Sequence, residues 1–477
     1  MDYEIVIGLE VHSELKTKSK VFCACENGFG GKPNTRCCPV CSGHPGTLPV
    51  LNRTAVDYTV MAGLALGCEI GTFSKFDRKN YYYPDLPKAY QISQFPLPLC
   101  KNGRLDFTLD GEKKSVRINR IHLEEDAGKL VHSEWGEGTL VDYNRCGVPL
   151  IEIVTEPDLR SPEEALAFLE NLKSILKYTG VSDCKMEQGS IRCDVNLSLR
   201  KKGAAEFGVR SEMKNVNSFK AAYRAMVYEA KRQAEILDRG GVVEQETRRW
   251  DDAKGKSFVM RTKEDAHDYR YFPEPDLVPV VISEERVEEI RESLPELPAA
   301  RRARYESEFG LPAYDAEVLT SDRELADFFE QTVRLYDKPK TVSNWLMGEV
   351  LRKNKESGAE EISVPFSAKN FAKLLEIYEK QVVNQAGAKK IFECLWNKDE
   401  DPEAIVEREG LRQMDDSAAI REAILGIIAA NPRPVADYKA GNKKATAFFV
   451  GQVMKATKGK ANPQTVNRIL IEELEKV

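Results

Sequence analysis

Three segments of this chain read as strands with a period of two, and each carries acid on one of its faces. Such alternation is the signature of a strand with one face in a core, because successive side chains point to opposite faces. In the first, Ile5, Ile7, Leu9 and Val11 share one face, while Gly8, Glu10, His12 and Glu14 share the other. In Val148–Glu156, Glu152 and Glu156 lie on the same side as Leu150 and Val154. In Ser190–Arg200, Ile191, Cys193, Val195, Leu197 and Leu199 face one way, and Ser190, Arg192, Asp194, Asn196 and Ser198 the other. A fourth segment, Arg117–Glu125, runs as a strand into the acidic turn Glu124-Glu125-Asp126-Ala127-Gly128-Lys129.

A polar strand face is either solvated or part of a polar site, and the alternation alone leaves both open. If the four strands are neighbours, they deliver Glu10, His12, Glu125, Glu152 and Asp194 to one cluster. Several carboxylates share a small space only with a cation, and oxygen ligands with one imidazole suit Mg²⁺ or Mn²⁺. No phosphate-binding motif accompanies them. The Gly-Lys-Ser at Gly255–Ser257 has Trp250 where the leading glycine of such a loop belongs, and there is no G-x-G-x-x-G. Nucleotide chemistry on this chain therefore requires a fold outside those classes.

A second cluster is local. Cys23-Ala24-Cys25 and Cys38-Pro39-Val40-Cys41 form a C-x-C and a C-x-x-C pair around a turn-rich stretch. Four thiolates so placed suit tetrahedral Zn²⁺, and a closed four-cysteine site is structural because no coordination position stays open for chemistry. Cys37 competes with Cys38, and the C-x-x-C spacing favours Cys38. Five of the 11 cysteines fall in this stretch. The N-terminus has no basic, apolar leader, so the remaining cysteines read as reduced and the compartment as cytoplasmic. No apolar run approaches the roughly 20 residues of a membrane span.

At 477 residues, the chain has room for about three domains. Its character changes near residue 290. Extended segments mixed with helices come before, helical patterns after, and Leu294–Pro312 carries three prolines and a charge run. The fold class is α+β: a strand-rich body at 1–292, a helical domain at 293–405 and a small helical tail at 406–477. Helix starts are signalled at Asn52, Ser161 (a capping box with Pro162), Ser321, Ser367 and Asn462, and a further helix runs from Phe219 to Leu237.

The formal net charge of −6 excludes a uniformly basic nucleic-acid binder. The tail reverses it locally. Lys439, Lys443, Lys444, Lys455, Lys458, Lys460 and Arg468 fall in a span without one acidic residue. That is the composition of a phosphate-backbone contact, and equally of a solvated helix face.

Longer motifs carry a resemblance. IGLEVHSEL (7–15), KFDRKNYYYPDLPKAYQISQ (75–94), HLEEDAGK (122–129), PLIEIVTEPD (149–158), GSIRCDVNLSLR (189–200), MKNVNSF (213–219), ETRRWD (246–251), DYRYFPEPDL (268–277), SNWLMGEV (343–350) and VGQVMKATKGKANP (450–463) closely resemble the B-subunit family of the bacterial aspartyl/glutamyl-tRNA(Asn/Gln) amidotransferases. The resemblance implies a β-rich cradle, a helical domain and a tRNA-contacting tail, in complex with an amidase A subunit and a small C subunit. It implies that ATP and Mg²⁺ (or Mn²⁺) activate the side-chain carboxylate of Glu on tRNA(Gln) or Asp on tRNA(Asn), and that glutamine-derived ammonia then displaces phosphate. Carried onto this chain, metal roles fall to Glu10, His12, Glu125, Glu152 and Asp194, with Glu187 a weaker member. Lys79 and Lys214 become catalytic candidates. Arg78, Lys88, Asn215 and Ser190 become cofactor-binding candidates. Cys23, Cys25, Cys38 and Cys41 become zinc ligands, and Lys443, Lys444, Lys455, Lys458 and Lys460 tRNA contacts. A non-catalytic tRNA-binding scaffold is the alternative, and a stand-alone zinc hydrolase is disfavoured by the closed cysteine set.

Overall fold

The computed structural model describes residues 2–132, 136, 138–262, 268–358, 362–413, 417–439, 445–457 and 461–476. The chain divides into two compact units, Met1–Arg301 and Arg302–Val477, and the division falls inside the Pro-containing Leu294–Pro312 stretch.

The first unit is built on one nine-stranded sheet. Its strands in chain order are β1 (Tyr3–Glu14), β2 (Glu69–Ile70), β3 (Cys100–Leu109), β4 (Glu112–Glu125), β5 (Pro149–Thr155), β6 (Ile191–Lys201), β7 (Ser211–Lys214), β8 (Glu246–Asp251) and β9 (Lys256–Thr262). Across the sheet they run β9-β8-β7-β6-β1-β5-β4-β3-β2, antiparallel throughout except for β7 beside β8. The strands of the alternating segments are thus neighbours at the centre.

Their apolar face builds the core. Ile7, Leu9, Val11, Ile151, Ile153, Ile191, Cys193, Val195 and Leu197 are buried in one cluster. Helices α1 (Arg53–Ala65), α2 (Pro162–Thr179) and α3 (Phe219–Asp238) cover that face. Burying each large aliphatic side chain contributes about 1.5–3 kcal/mol, so register is strongly specified: a one-residue slip would carry the acids into the core. The caps are those the sequence signals. The Asn52 side chain accepts from Thr54 and Ala55 N–H, Ser161 Oγ accepts from Glu164 N–H, and Gly180 closes α2 at φ 76°. The Gly255–Ser257 tripeptide opens an edge strand and is followed by no helix; Ser257 Oγ accepts from Arg248 Nε at 2.8 Å.

A smaller sheet of Asp77–Asn80, Tyr90–Ser93 and Phe272–Pro273 lies against the end of β4. There Gln91 Nε2 donates to the Glu125 carbonyl at 2.7 Å and Gln94 Oε1 accepts from Leu123 N–H at 3.1 Å.

In the second unit the described elements are helical. One apolar cluster runs from Tyr305 to Val406 and a second from Ile420 to Leu474. Ser367 and Asn462 cap helices as the sequence signals. One cap differs: Asp322, not Ser321, accepts from Glu324 and Leu325 N–H, and Ser321 Oγ donates instead to the Val318 carbonyl in the last turn of the preceding helix, Ala313–Leu319. Among the described residues no helix is long and apolar enough to cross a membrane.

Candidate active site

The polar face of the central strands is the candidate site. Antiparallel pairing sets Arg192, His12, Glu152 and His122 side by side in one row across β6, β1, β5 and β4. Two residues along β1, Asp194 pairs with Glu10, and Lys214 of β7 reaches over to join them. Preserved parity across neighbours puts all of these on one face.

Two groups result. In the first, His12 Nε2 lies 3.4 Å from Glu152 and 3.8 Å from Glu124. His122 Nε2 lies 3.4 Å from Glu124 and 3.5 Å from Glu152. Burial alone would raise both carboxyls, yet His122 holds Glu124 below its ordinary range, and His122 with His12 hold Glu152 well below it. Burial alone would lower His12, yet the facing Glu152 and Glu124 raise it. His122 is buried, and its Nδ1 finds no hydrogen-bond partner.

The second group is Glu10, Asp194 and Glu212. Lys214 bridges Asp194 and Glu212, 2.9 Å from the latter. Burial raises Glu10, and the Glu152, Asp194 and Glu212 charges raise it further. Burial would lower Lys214, but Asp194 and Glu212 raise it. Beside Glu10 opens a cavity of about 240 Å³ lined by Gly8, Pro157, Asn196, Phe207 and Arg210.

Each group offers three donor atoms within 4.8 Å of one another, two carboxylates and an imidazole in the first and three carboxylates in the second, and both sets fit a hard divalent cation. Lys79 overlooks the first group. Burial opposes its charge, and Glu124 and Glu152 favour it. Its Nζ sits 4.8 Å from the Tyr269 ring centroid and 5.8 Å from that of Tyr81.

Not every expected residue joins this face. Glu125 follows Glu124 on the same strand and so points to the opposite side. There it accepts from Ile92 N–H at 3.0 Å and pairs with Lys88. Glu187 is exposed in the turn before β6 and belongs to neither group. Ser190 Oγ donates to Asp183 at 2.6 Å and accepts from Lys185 N–H at 2.7 Å, which pins that turn. Arg78 forms a two-bond pair with Glu274 at 2.7 and 2.9 Å and stacks 4.2 Å from the Tyr90 centroid. Asn215 is exposed, at φ 61° just past Lys214. Sequence reasoning missed Glu124, His122 and Glu212. The first two were readable, since 122 and 124 share parity on β4. Glu212 lies on a four-residue strand, too short for alternation to show.

The cysteines converge as the spacing predicts. The sulfurs of Cys23, Cys25, Cys38 and Cys41 lie within 4.8 Å of one another, a donor set that fits tetrahedral zinc, and Cys37 Sγ turns away to the Asn34 carbonyl at 3.4 Å. Cys38 N–H donates to Cys41 Sγ at 3.2 Å, and the buried Lys20 Nζ lies 3.5 Å from the same sulfur. This loop walls a cavity of about 250 Å³ whose other side holds Lys88, Tyr90, Ile92 and Glu125. Gly43 allows the close approach: at φ 71°, a Cβ there would sit 2.9 Å from Lys88 Cγ and 3.0 Å from the Pro87 carbonyl carbon.

In the tail, Lys455 is exposed on the helix Ala445–Ala456. Lys443, Lys444, Lys458 and Lys460 lie outside the described residues.

Comparison with known proteins places this geometry among relatives. The GatB/GatE catalytic domain family matches residues 5–288, and the GatB domain family matches residues 327–474. The chain is 58% identical over 480 residues to the B subunit of the aspartyl/glutamyl-tRNA(Asn/Gln) amidotransferase of Caldicellulosiruptor saccharolyticus and 59% identical over 480 residues to that of Caldicellulosiruptor bescii. It is 58% identical over 476 residues to that of Thermoanaerobacter pseudethanolicus. In each case the match covers 100% of both chains.

Proposed function

The chain belongs to the B-subunit family of the aspartyl/glutamyl-tRNA(Asn/Gln) amidotransferases, and from that membership we propose that its polar sheet face is the phosphoryl-transfer centre for Glu-tRNA(Gln), Asp-tRNA(Asn) or both. As a B subunit of such an amidotransferase it takes part in the glutamine-dependent transamidation of mischarged tRNA. The observation that carries the finer reading is the pair of acidic groups, His12–Glu124–Glu152 and Glu10–Asp194–Glu212, side by side on one sheet face.

A carboxylate is a poor electrophile toward ammonia. Moving the γ-phosphate of ATP onto the side-chain carboxylate forms an acyl phosphate and releases ADP. Ammonia then attacks the acyl carbon, inorganic phosphate leaves, and the amide remains. Such transfer needs alignment and charge neutralisation more than covalent help from the protein. Mg²⁺ held by the two acidic groups would supply that neutralisation. Lys79 and Lys214 are cations beside those groups and would steady phosphoryl oxygens. His12 and His122 keep the Glu124 and Glu152 carboxylates ionised and aimed into the site. On the opposite face, the Lys88–Glu125 pair borders the cavity under the cysteine loop, a polar place for ammonia to arrive.

The rest of the chain fits the same reading. The strand-rich part, 1–292, acts as the catalytic cradle, with a structural zinc in the loop at 23–41. The helical domain at 293–405 leads to the tail at 406–477, whose basic span holds tRNA. An amidase A subunit and a small C subunit complete the enzyme, which works in the cytoplasm.

The test is single-turnover transfer from γ-labelled ATP in the assembled enzyme, with glutamine withheld. Label passes to the aminoacyl-tRNA, is lost in Glu10→Ala and Glu124→Ala, and tRNA binding persists in both. Binding of tRNA with no label transfer by the unsubstituted enzyme overturns the catalytic reading and leaves a scaffold.

A further inference from the structure

Around Lys79 the chain gathers aromatic rings that the phosphoryl chemistry does not use. Tyr81 packs edge-on against Tyr83 at 6.2 Å and Tyr269 at 5.8 Å, and Tyr269 packs against Tyr271 at 6.0 Å. Tyr271 stacks flat on Phe95, with centroids 4.5 Å apart and planes 9° apart. These rings come from two distant segments that the small sheet brings together.

The shelf is built rather than incidental. Asn80 Nδ2 donates to the Tyr269 and Arg270 carbonyls at 3.2 and 2.8 Å, which straps that segment to Asp77–Asn80. Phe95 N–H donates to the buried Asp77 carboxylate at 3.3 Å. Yet the shelf stands open: Phe95 is 54% exposed, and Tyr82, next to Tyr81 in sequence, is 83% exposed. An ordered flat pair with one member open to water is a surface that one more planar ring would extend, because offset stacking adds to area burial.

We propose that the Phe95–Tyr271 stack receives the terminal, unpaired base at the 3′ end of the aminoacyl-tRNA. The proposal rests on the phosphoryl-transfer reading above. The reacting carboxylate hangs from the ribose of that last nucleotide, so its base must lie one ribose and one short side chain from the acidic groups. The small sheet ties the shelf to those groups: Ser93 Oγ, two residues before Phe95, donates to Glu124 at 3.1 Å, and Lys79 Nζ lies 4.8 Å from the Tyr269 ring centroid and 5.8 Å from that of Tyr81. The exposed Arg270 lies between Tyr269 and Tyr271 in sequence, where a cation meets the backbone phosphates. Single-stranded ends are commonly held in this way, by bases stacked on aromatic side chains beside cations. The base of ATP has a better home in the recessed cavity beside Glu10, next to the other acidic group.

The test uses the assembled enzyme and uncharged tRNA(Gln) carrying 2-aminopurine in place of the 3′-terminal adenine. Binding quenches the probe. Phe95→Ala, alone and with Tyr271→Leu, abolishes the quench and weakens tRNA binding about 10-fold, the scale of one lost base–aromatic stack. Phe95→Trp restores both, and the KM for ATP stays constant. An undiminished quench in the double substitution overturns the proposal, as does a raised KM for ATP with tRNA binding intact, which would give the shelf to the donor's base. Failure of the unsubstituted enzyme to bind tRNA at all is a different result: it removes the functional reading and this proposal with it.

Discussion

Glu124 and Glu125 are neighbours in sequence and opposed in space: Glu124 faces His12 and His122 on one side of the sheet, while Glu125 pairs with Lys88 on the other. The two acids therefore serve different sides of the sheet. Glu124→Gln keeps the shape and removes one anionic ligand, so phosphoryl transfer falls on the order of 100-fold, the scale of losing one electrostatic contact to a transition state. Glu125→Gln spares phosphoryl transfer and slows the amide-forming step. Single-turnover label transfer, followed by glutamine addition, separates the two. Equal losses at both steps from both substitutions would remove the assignment of sides.

Zinc bound in the four-cysteine loop would organise the wall that faces Lys88 and Glu125. Four thiolates around Zn²⁺ carry a net charge of −2, and the buried Lys20 Nζ beside Cys41 offsets part of it. Partners of this kind set metal affinity by about 10- to 100-fold. Lys20→Met accordingly weakens zinc by about that factor in a competition with a chromophoric chelator. Removing the metal lowers the melting temperature and exposes four titratable thiols. Unchanged chelator competition in Lys20→Met would leave Lys20 a packing residue.

Much of the site was legible because parity survives strand pairing. Each strand's own period puts Glu10 with His12, Glu152 and Asp194 on one side of their strands, and the central order β6-β1-β5-β4 makes those sides one face. Parity also shows why Glu125 was the wrong companion for them, since it differs by one residue from the His122 and Glu124 face. Pairing order itself is not written in any one segment, so the division into two acidic groups stayed hidden. The cysteine site was legible because its geometry is local. The aromatic shelf was not, because Phe95 and Tyr271 meet only once the small sheet has formed. In the second unit, caps and apolar stripes announced helices, and Asp322 took the cap expected at Ser321 because its carboxylate reaches two N–H groups from one residue further on.

Glu14 gives a pH dependence with a definite sign. Its carboxyl is pushed up to about 8, first by burial and then by the adjacent Asp126 charge, against the pull of Arg192 and Arg145. A carboxyl raised in the folded state binds a proton that the unfolded chain releases above its ordinary value near 4.5. The unfolded state then holds fewer protons, and stability falls as pH rises from there to about 8. Glu14→Gln mimics the neutral form and removes that slope. The melting temperature of the substituted chain gains on the native one between pH 5 and pH 8, an interval set by these two values. Parallel melting curves over that interval would show that Glu14 does not carry the proton.

The basic tail span makes the last prediction one of salt rather than of affinity alone. Each lysine that neutralises a phosphate releases a counterion, and each contributes roughly 0.7–0.9 to the slope of log affinity against log salt. Lys443, Lys444, Lys455 and Lys458 changed together to Gln should weaken tRNA binding and lower that slope by up to about 3.6. Phosphoryl transfer at saturating tRNA should persist, since these residues belong to the tail and the acidic groups to the sheet. Filter binding across a salt series, with the same variant assayed for label transfer, reads both quantities. A weaker complex with the full salt slope would mean that the four lysines support the fold of the tail and not the phosphate backbone.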